Sequence, residues 1–253
     1  MFPAGFQLEI ELFIVNTFSE SLILVVGGSD SYGDGVHSHR DAQIVDLSKQ
    51  RRSCKNLPEY PVAMGMATGA IVSGHPMICG STSHPIHNAP SECYHYSKVS
   101  NSWIFLTNMT RPGRLYSGSV MIKGSLFLMG SYGTEYVYPD GNASRSGPDL
   151  PNSRDGLCAV KLSTGQVMIL GGRPPYGGFK NSSSAIIFDP DTETFDKSLP
   201  SMRIELLNGA CAVFKSGMHD NREVVLAAGG NHEATAELFD YTQPNATWTK
   251  SNY

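Results

Sequence analysis

Short apolar runs that end in glycine recur along the chain. Each of five runs is followed by Gly-Gly or Gly-Ser, and they occupy residues 22–26, 77–79, 126–129, 167–170 and 224–228. The second residues of successive doublets are separated by 53, 50, 41 and 58 positions. Each run is too short for a helix and is rich in Val, Ile and Leu, which predicts a buried strand. A period of roughly 50 residues indicates a repeat architecture.

The surroundings of each run predict four strands per repeat. A further apolar stretch precedes each run, and a hairpin turn such as Lys123-Gly124-Ser125 separates the two. Downstream, a loop of variable length leads to a third and a fourth strand, marked by the aromatic pairs Tyr96 and Trp103, Phe188 and Phe195, and Phe239 and Trp248. Repeats of four short antiparallel strands, each covering a face of the next, are typical of β-propeller blades.

A glycine doublet followed by an aromatic residue, and by Trp or Phe about seven positions later, resembles the kelch repeat. The resemblance extends from about Leu12 to Tyr253. It implies an all-β propeller of about five four-stranded antiparallel blades, or an incomplete six-bladed ring. We expect blades at 12–58, 59–109, 110–151, 152–202 and 203–253, with residues 1–11 as a candidate closing strand. The segment from Cys79 through Cys93 to Trp103 is similar to the cysteine-bearing kelch repeats of secreted invertebrate proteins.

The doublets are predicted to be structural. A strand that ends and turns among crowded neighbours favours a residue without Cβ that tolerates positive φ. No Lys-Ser or Lys-Thr follows any doublet, which argues against a phosphate-binding loop. The glycines assigned this role are Gly27, Gly28, Gly80, Gly130, Gly171, Gly172, Gly229 and Gly230.

Cysteines and glycosylation signals bear on the compartment. Cys79 and Cys93 face each other on neighbouring strands, which predicts a disulfide, with two free core thiols as the alternative. Cys158 and Cys211 hold equivalent repeat positions on innermost strands, so we expect them to pack as small apolar residues. Asn-x-Ser/Thr signals occur at Asn108, Asn142, Asn181 and Asn245. Together these features favour an extracellular protein, and a cytoplasmic one is the alternative.

Composition narrows the function classes. The chain of 253 residues has a formal net charge of −4, which argues against non-specific nucleic-acid binding. It contains no apolar run of 18 residues, so no membrane span is predicted. The loop histidines form no convincing ligand set, so neither a metal nor another cofactor is predicted; they are His37, His39, His84, His87 and His232.

A kelch-type oxidoreductase similar to galactose oxidase is the alternative function. Some kelch propellers are catalytic, and galactose oxidase uses copper held by tyrosines and histidines beside a cysteine–tyrosine link. Tyr94 and Tyr96 beside Cys93 supply those residue types, but they lie on a third strand, away from the propeller axis. No nucleophile elbow or Walker motif occurs, and no catalytic residue is predicted.

The loops between second and third strands share a rim with the connections between blades, and we expect binding there. Arginine offers a planar fork for carboxylates, so this rim predicts a protein partner of acidic character. The residues assigned to contact are Arg40 and Arg173, Tyr32 and Tyr176 in the loops, and Arg111 and Arg114 in the connections. Arg154 and Arg203 are expected to brace neighbouring blades. The sequence thus predicts a non-catalytic binding module, with a structural secreted glycoprotein as a further alternative.

Overall fold

The computed structural model describes residues 14–19, 22–32, 35–46, 48, 53–65, 67–80, 91–111, 118–131, 133–141, 143–174, 180–230 and 235–251. Within these ranges the regular structure is β-strand, apart from one turn of 3-10 helix at Gly217–His219. The described strands form five four-stranded antiparallel sheets and one two-stranded ribbon. The predicted all-β fold with five four-stranded blades is confirmed, and the chain is a β-propeller.

The chain divides into two compact units, which are described separately. Unit 1 comprises Met1–Leu115 and Val137–Ser144, and unit 2 comprises Tyr116–Tyr136 and Arg145–Tyr253.

Unit 1 contains the first two blades. The first blade has the order β1-β2-β5-β6, with β1 Ile14–Ser19, β2 Leu22–Val26, β5 Ala42–Asp46 and β6 Ser53–Asn56. The second has the order β7-β8-β9-β10, with β7 Thr68–Val72, β8 His75–Cys79, β9 Glu92–Ser97 and β10 Ser102–Asn108. β1 contacts β7, so the first strands of the two blades are neighbours. Where we expected a loop after β2, an antiparallel ribbon forms from β3 Ser29–Tyr32 and β4 Gly35–Ser38. The candidate closing strand, residues 1–11, lies outside the described residues.

Unit 2 contains the remaining blades, except for Val137–Ser144 of the third. The third blade comprises β11 Gly118–Ile122, β12 Ser125–Gly130, β13 Gly133–Val137 and β14 Ser144–Ser146. The fourth comprises β15 Asp155–Lys161, β16 Val167–Arg173, β17 Ala185–Asp189 and β18 Thr194–Asp196. The fifth comprises β19 Ala210–Ser216, β20 Arg222–Ala228, β21 Ala236–Phe239 and β22 Thr249–Lys250. β15 contacts both β11 and β19, so first strands are again neighbours.

The apolar runs form the second strands, and in the third and fourth blades these strands are almost completely buried. All six residues of β12 are buried, and so are the first six of β16. First strands such as β7 and β11 instead alternate between buried and half-buried positions. Each fully buried aliphatic side chain contributes about 1.5–3 kcal/mol, which explains why the second strand is a continuous apolar run.

The aromatic pairs of the third and fourth strands are in contact. The ring centroids of Tyr96 and Trp103 lie 5.4 Å apart, and those of Phe239 and Trp248 lie 5.0 Å apart. Each tryptophan also donates its indole N–H to the carbonyl oxygen of a proline that closes the preceding blade. Trp103 reaches Pro58 at 2.9 Å, and Trp248 reaches Pro200 at 3.0 Å. The same repeat position therefore fastens successive blades within each unit.

Seven of the eight doublet glycines adopt the predicted positive φ. Gly171 has φ of +67°, and a Cβ there would lie well inside van der Waals contact of the Leu206 carbonyl oxygen. Gly130 differs because it does not adopt a positive φ and instead continues β12. The following residue, Ser131, stands where other doublets carry their second glycine.

Two disulfides are present among the described cysteines. Cys79 and Cys93 pair directly in the register of β8 and β9 and are bonded to each other. The expectation for Cys158 and Cys211 was wrong, because they form a second disulfide between β15 and β19. Equivalent positions on adjoining first strands lie side by side, with their Cα atoms 6.0 Å apart, which is within reach of a bridge. Cys54 is a free, exposed cysteine.

Candidate partner-binding cavity

The fourth blade carries a cavity of about 440 Å³. β16 ends at Arg173 and β15 begins at Asp155, and these two residues are paired in the sheet register. The loop that follows β16 and the connection that precedes β15 therefore meet at one edge of the blade, as antiparallel connectivity predicts. The described lining residues are Asn152, Ser153, Arg154, Gly172, Arg173, Pro174, Lys180, Asn181 and Ser182. We call this the cationic cavity.

Backbone hydrogen bonds hold one wall of the cationic cavity. The Gly172 N–H donates to the Leu206 carbonyl oxygen at 2.7 Å, and the Ser182 N–H donates to the Gly172 carbonyl oxygen at 2.8 Å. The Leu206 N–H in turn donates to the Ser182 carbonyl oxygen at 3.1 Å. The variable loop is thereby tied to the connection that leads into the fifth blade, so the wall is a formed surface at these residues.

Arg154 is a buried lining residue that donates hydrogen bonds to neighbouring residues of the fourth blade and its connection. Its side chain is only 4% exposed, and burial lowers the pKa of its guanidinium. Nη1 donates to the Gly171 carbonyl oxygen at 2.9 Å and to Ser184 Oγ at 2.7 Å, while Nε donates to the Asn152 carbonyl oxygen at 3.1 Å. The prediction that Arg154 braces loop carbonyls is confirmed. Its hydrogen-bonding capacity is directed into the protein rather than toward a ligand.

Arg173 and Lys180 present the accessible positive charge of the cavity. Both residues are exposed, and neither donates a hydrogen bond to a residue in the described part of the chain. Guanidinium and ammonium groups without internal acceptors remain free to bind an external carboxylate. Arg173 was predicted from the sequence as a contact residue, whereas Lys180 was not. The signal for Lys180 was its place near the end of the same variable loop.

The buried carboxylate of Asp155 belongs to the residue that pairs with Arg173 in the sheet. Asp155 is 5% exposed, and its Oδ1 has no hydrogen-bond partner among the described residues. Burial raises the pKa of Asp155 to about 6, although Arg173 and a backbone hydrogen bond from Ser131 oppose that rise. The charge of Arg173 is therefore partly offset by a carboxylate that titrates near neutral pH, a feature that the repeat pattern did not suggest.

The other predicted contact residues are not among the described lining residues of the cationic cavity. Arg40 in unit 1 is exposed, but its Nε donates to the Tyr60 carbonyl oxygen at 2.8 Å and lies 3.6 Å from a Glu59 carboxylate oxygen. Arg111 is half-buried at the end of the second blade. Tyr32 is the last residue of β3. Arg114 and Tyr176 lie outside the described residues.

The Arg203 side chain makes no hydrogen bond to the described part of the chain, so the expected bracing is not seen there. Its guanidinium is exposed, and instead its backbone N–H donates to the buried Glu237 carboxylate at 2.8 Å. The repeat equivalence with Arg154 therefore holds for position but not for hydrogen bonding.

Three of the four predicted glycosylation sites lie among the described residues. Asn108 is exposed at the end of β10, and Asn245 is exposed in a turn of the fifth blade with φ of 58°. Asn181 lines the cationic cavity. Asn142 lies outside the described residues, as do the loop histidines His84, His87 and His232.

The structure also bears on a cysteine–tyrosine link, a metal-binding cluster and a membrane span. Because Cys93 is bonded to Cys79, its sulfur is engaged and is not free to link to a neighbouring tyrosine. Within the described ranges, no three or more His, Cys, Asp or Glu side chains cluster as a metal site. None of the described helical structure is long and apolar enough to cross a membrane.

Comparisons with known proteins support the fold. The chain matches no protein-family model, and it matches none of the curated protein sequences. It is similar to a solved structure described as "Structure of YjhT", with a TM-score of 0.72 and 13% sequence identity. The similarity covers 94% of this chain and 82% of that one. At this identity the likeness shows a shared β-propeller fold.

Proposed function

We propose that this protein is a non-catalytic, kelch-type binding module that recognises an acidic protein partner through the cationic cavity. The observation that carries the proposal is the pair Arg173 and Lys180, which are exposed on a formed cavity wall without hydrogen bonds to described residues. Exposed positive groups inside a concavity favour binding an oppositely charged group, and the buried Asp155 offsets only part of the charge of Arg173.

The shape of the cavity supports a peptide or protein ligand. A volume of about 440 Å³ accommodates an Asp or Glu side chain with adjoining backbone. Asn152 adds an amide group to the lining, which can donate to and accept from a peptide backbone. The variable loop and the blade connection supply this lining, and binding residues commonly sit on such loops above a rigid scaffold.

An extracellular location forms part of the proposal. Disulfides persist in oxidising compartments, and this chain holds two, one of them between blades. Glycans on the exposed Asn108 and Asn245 fit the same assignment, because both asparagines are accessible.

The test is a peptide selection with matched variants. A phage-displayed random peptide library is panned on immobilised wild-type protein, and the recovered peptides are sequenced. We expect enrichment of Asp and Glu, and retention of those phage should fall at least about tenfold on the double variant R173A/K180A, since each charge-assisted hydrogen bond contributes about 1.5–3 kcal/mol.

The control variant K197A/K250A removes the same charge from exposed lysines of unit 2 that lie outside the cavity. It should retain the phage as wild type does. Selection without acidic enrichment would overturn the proposal and favour the enzyme or the structural glycoprotein. If phage retention fell equally on both double variants, the loss would be due to the change in net charge, and the assigned site would likewise be refuted.

A further inference from the structure

A separate cavity of about 340 Å³ lies in unit 1, at the hairpin end of the second blade. Val72, Met77 and Leu106 give it apolar walls, and His75, His95 and Asp140 add polar groups. His75 begins β8, whereas the variable loop follows Cys79 at the other end of that strand. The cavity therefore lies at the blade edge opposite the variable loop, and it shares no lining residue with the cationic cavity.

The two histidines are diagonal neighbours on adjacent strands. Met77 pairs with His95 in the register of β8 and β9, and His75 stands two residues before Met77 on the same face of the sheet. The imidazole centroids are 5.7 Å apart, and the rings are inclined at 48°. Two imidazoles that bind one metal ion at about 2.0–2.1 Å, at angles of roughly 110–125°, have centroids about 5–6 Å apart. The observed spacing falls within that range.

A hydrogen bond further suits His75 to metal binding. Its Nδ1 lies 3.4 Å from the Tyr96 carbonyl oxygen, which can only accept a hydrogen bond, so this contact requires the tautomer with the proton on Nδ1. With Nδ1 protonated, the neutral ring carries its lone pair on Nε2. Metal-binding histidines commonly donate their second ring N–H to a backbone carbonyl, which fixes both the tautomer and the ring orientation.

We propose that His75 and His95 form a binding site for a divalent transition-metal ion of the kind that imidazole prefers, Zn²⁺, Ni²⁺ or Cu²⁺. The two imidazoles are the protein ligands, and water completes the coordination on the side that faces the cavity. Asp140 also lines the cavity, but among the described residues it forms no three-residue metal cluster with the two histidines. Because nitrogen ligands favour these metals over hard cations, Mg²⁺ and Ca²⁺ should not compete.

Isothermal titration of the purified full chain with ZnCl₂, repeated with NiSO₄, tests the site. The variants H75Q and H95Q should each weaken the tightest binding event by roughly tenfold or more, since each removes one of two ligands from a chelate. The control H219Q alters a half-buried histidine of unit 2 that lies 3.8 Å from Asp240, and it should bind as wild type does.

A measurement on the wild-type protein guards against misfolded variants. In ¹H–¹⁵N spectra that report imidazole nitrogens, sub-stoichiometric Zn²⁺ should perturb two histidines, identified by the signals missing from the two variants. Unchanged affinity in both H75Q and H95Q would overturn the proposal, as would Zn²⁺ perturbing only other histidines. Equal competition by MgCl₂ would also contradict it.

Discussion

Replacing Asp155 with Asn should remove a pH-dependent destabilisation of the folded protein. The carboxyl group is 5% exposed, and its Oδ1 lacks a hydrogen-bond partner among the described residues. Burial raises its pKa from 3.8 to about 6. Asn preserves the shape of the side chain but carries no ionisable group, so the comparison isolates the charge.

The sign and size of the effect follow from proton linkage. Between about pH 4 and pH 6 the folded protein binds a proton at Asp155 that the unfolded chain has released, so this residue makes the folded state less stable as the pH rises. A rise of about two pKa units corresponds to about 3 kcal/mol. The free energy of unfolding of D155N minus that of wild type should therefore increase by about 2.5 kcal/mol between pH 4 and pH 8, because the unfolded chain has already released part of this proton at pH 4.

Urea unfolding followed by tryptophan fluorescence at both pH values measures this difference. The control D191N alters an exposed carboxylate paired with Lys123, and the pH dependence it shows should differ little from that of wild type. The variant R173A should enlarge the wild-type effect, because Arg173 opposes the rise in the Asp155 pKa. A D155N difference that stays constant from pH 4 to pH 8 would refute the reasoning.

Three further predictions concern the scaffold and its disulfides. Gly171→Ala should cost more stability than Gly165→Ala by at least about 2 kcal/mol in thermal or urea unfolding, because both have positive φ but only Gly171 faces the Leu206 backbone; equal losses would contradict this. C158S/C211S should lower the free energy of unfolding by up to about 4 kcal/mol, since the bridge spans 53 residues. Wild-type protein secreted by eukaryotic cells and alkylated before reduction should take up one alkyl group, at Cys54, and uptake at all five cysteines would refute both bridges and the extracellular assignment.

The strand pattern could be predicted because it depends on local periodicity. The run 167–170 became the buried strand β16, and Phe239 meets Trp248 as the aromatic spacing predicts. The ribbon formed by β3 and β4 escaped prediction because its sequence contains no apolar run, and it is recognised from its backbone pairing.

The contacts between blades and within the candidate site were harder to predict from the sequence, because they depend on distances between segments that are far apart in the chain. Repeat alignment shows that Cys158 and Cys211 are equivalent, yet only the separation of β15 and β19 shows that they can bond. Arg154 and Arg203 are equivalent too, but their guanidinium groups face different surroundings. The raised pKa of Asp155 arises from burial by its neighbours, and residue type alone does not reveal that burial.

The most direct test of the account is the affinity of one selected acidic peptide for the purified protein, measured by isothermal titration. The peptide is compared with a partner in which each Asp and Glu is replaced by Asn and Gln. The account predicts that neutralising the peptide and substituting R173A/K180A each weaken binding at least about tenfold, and that the two losses together are smaller than their sum because they remove the same contacts. Fully additive losses, or an affinity that neither change affects, would contradict recognition through Arg173 and Lys180.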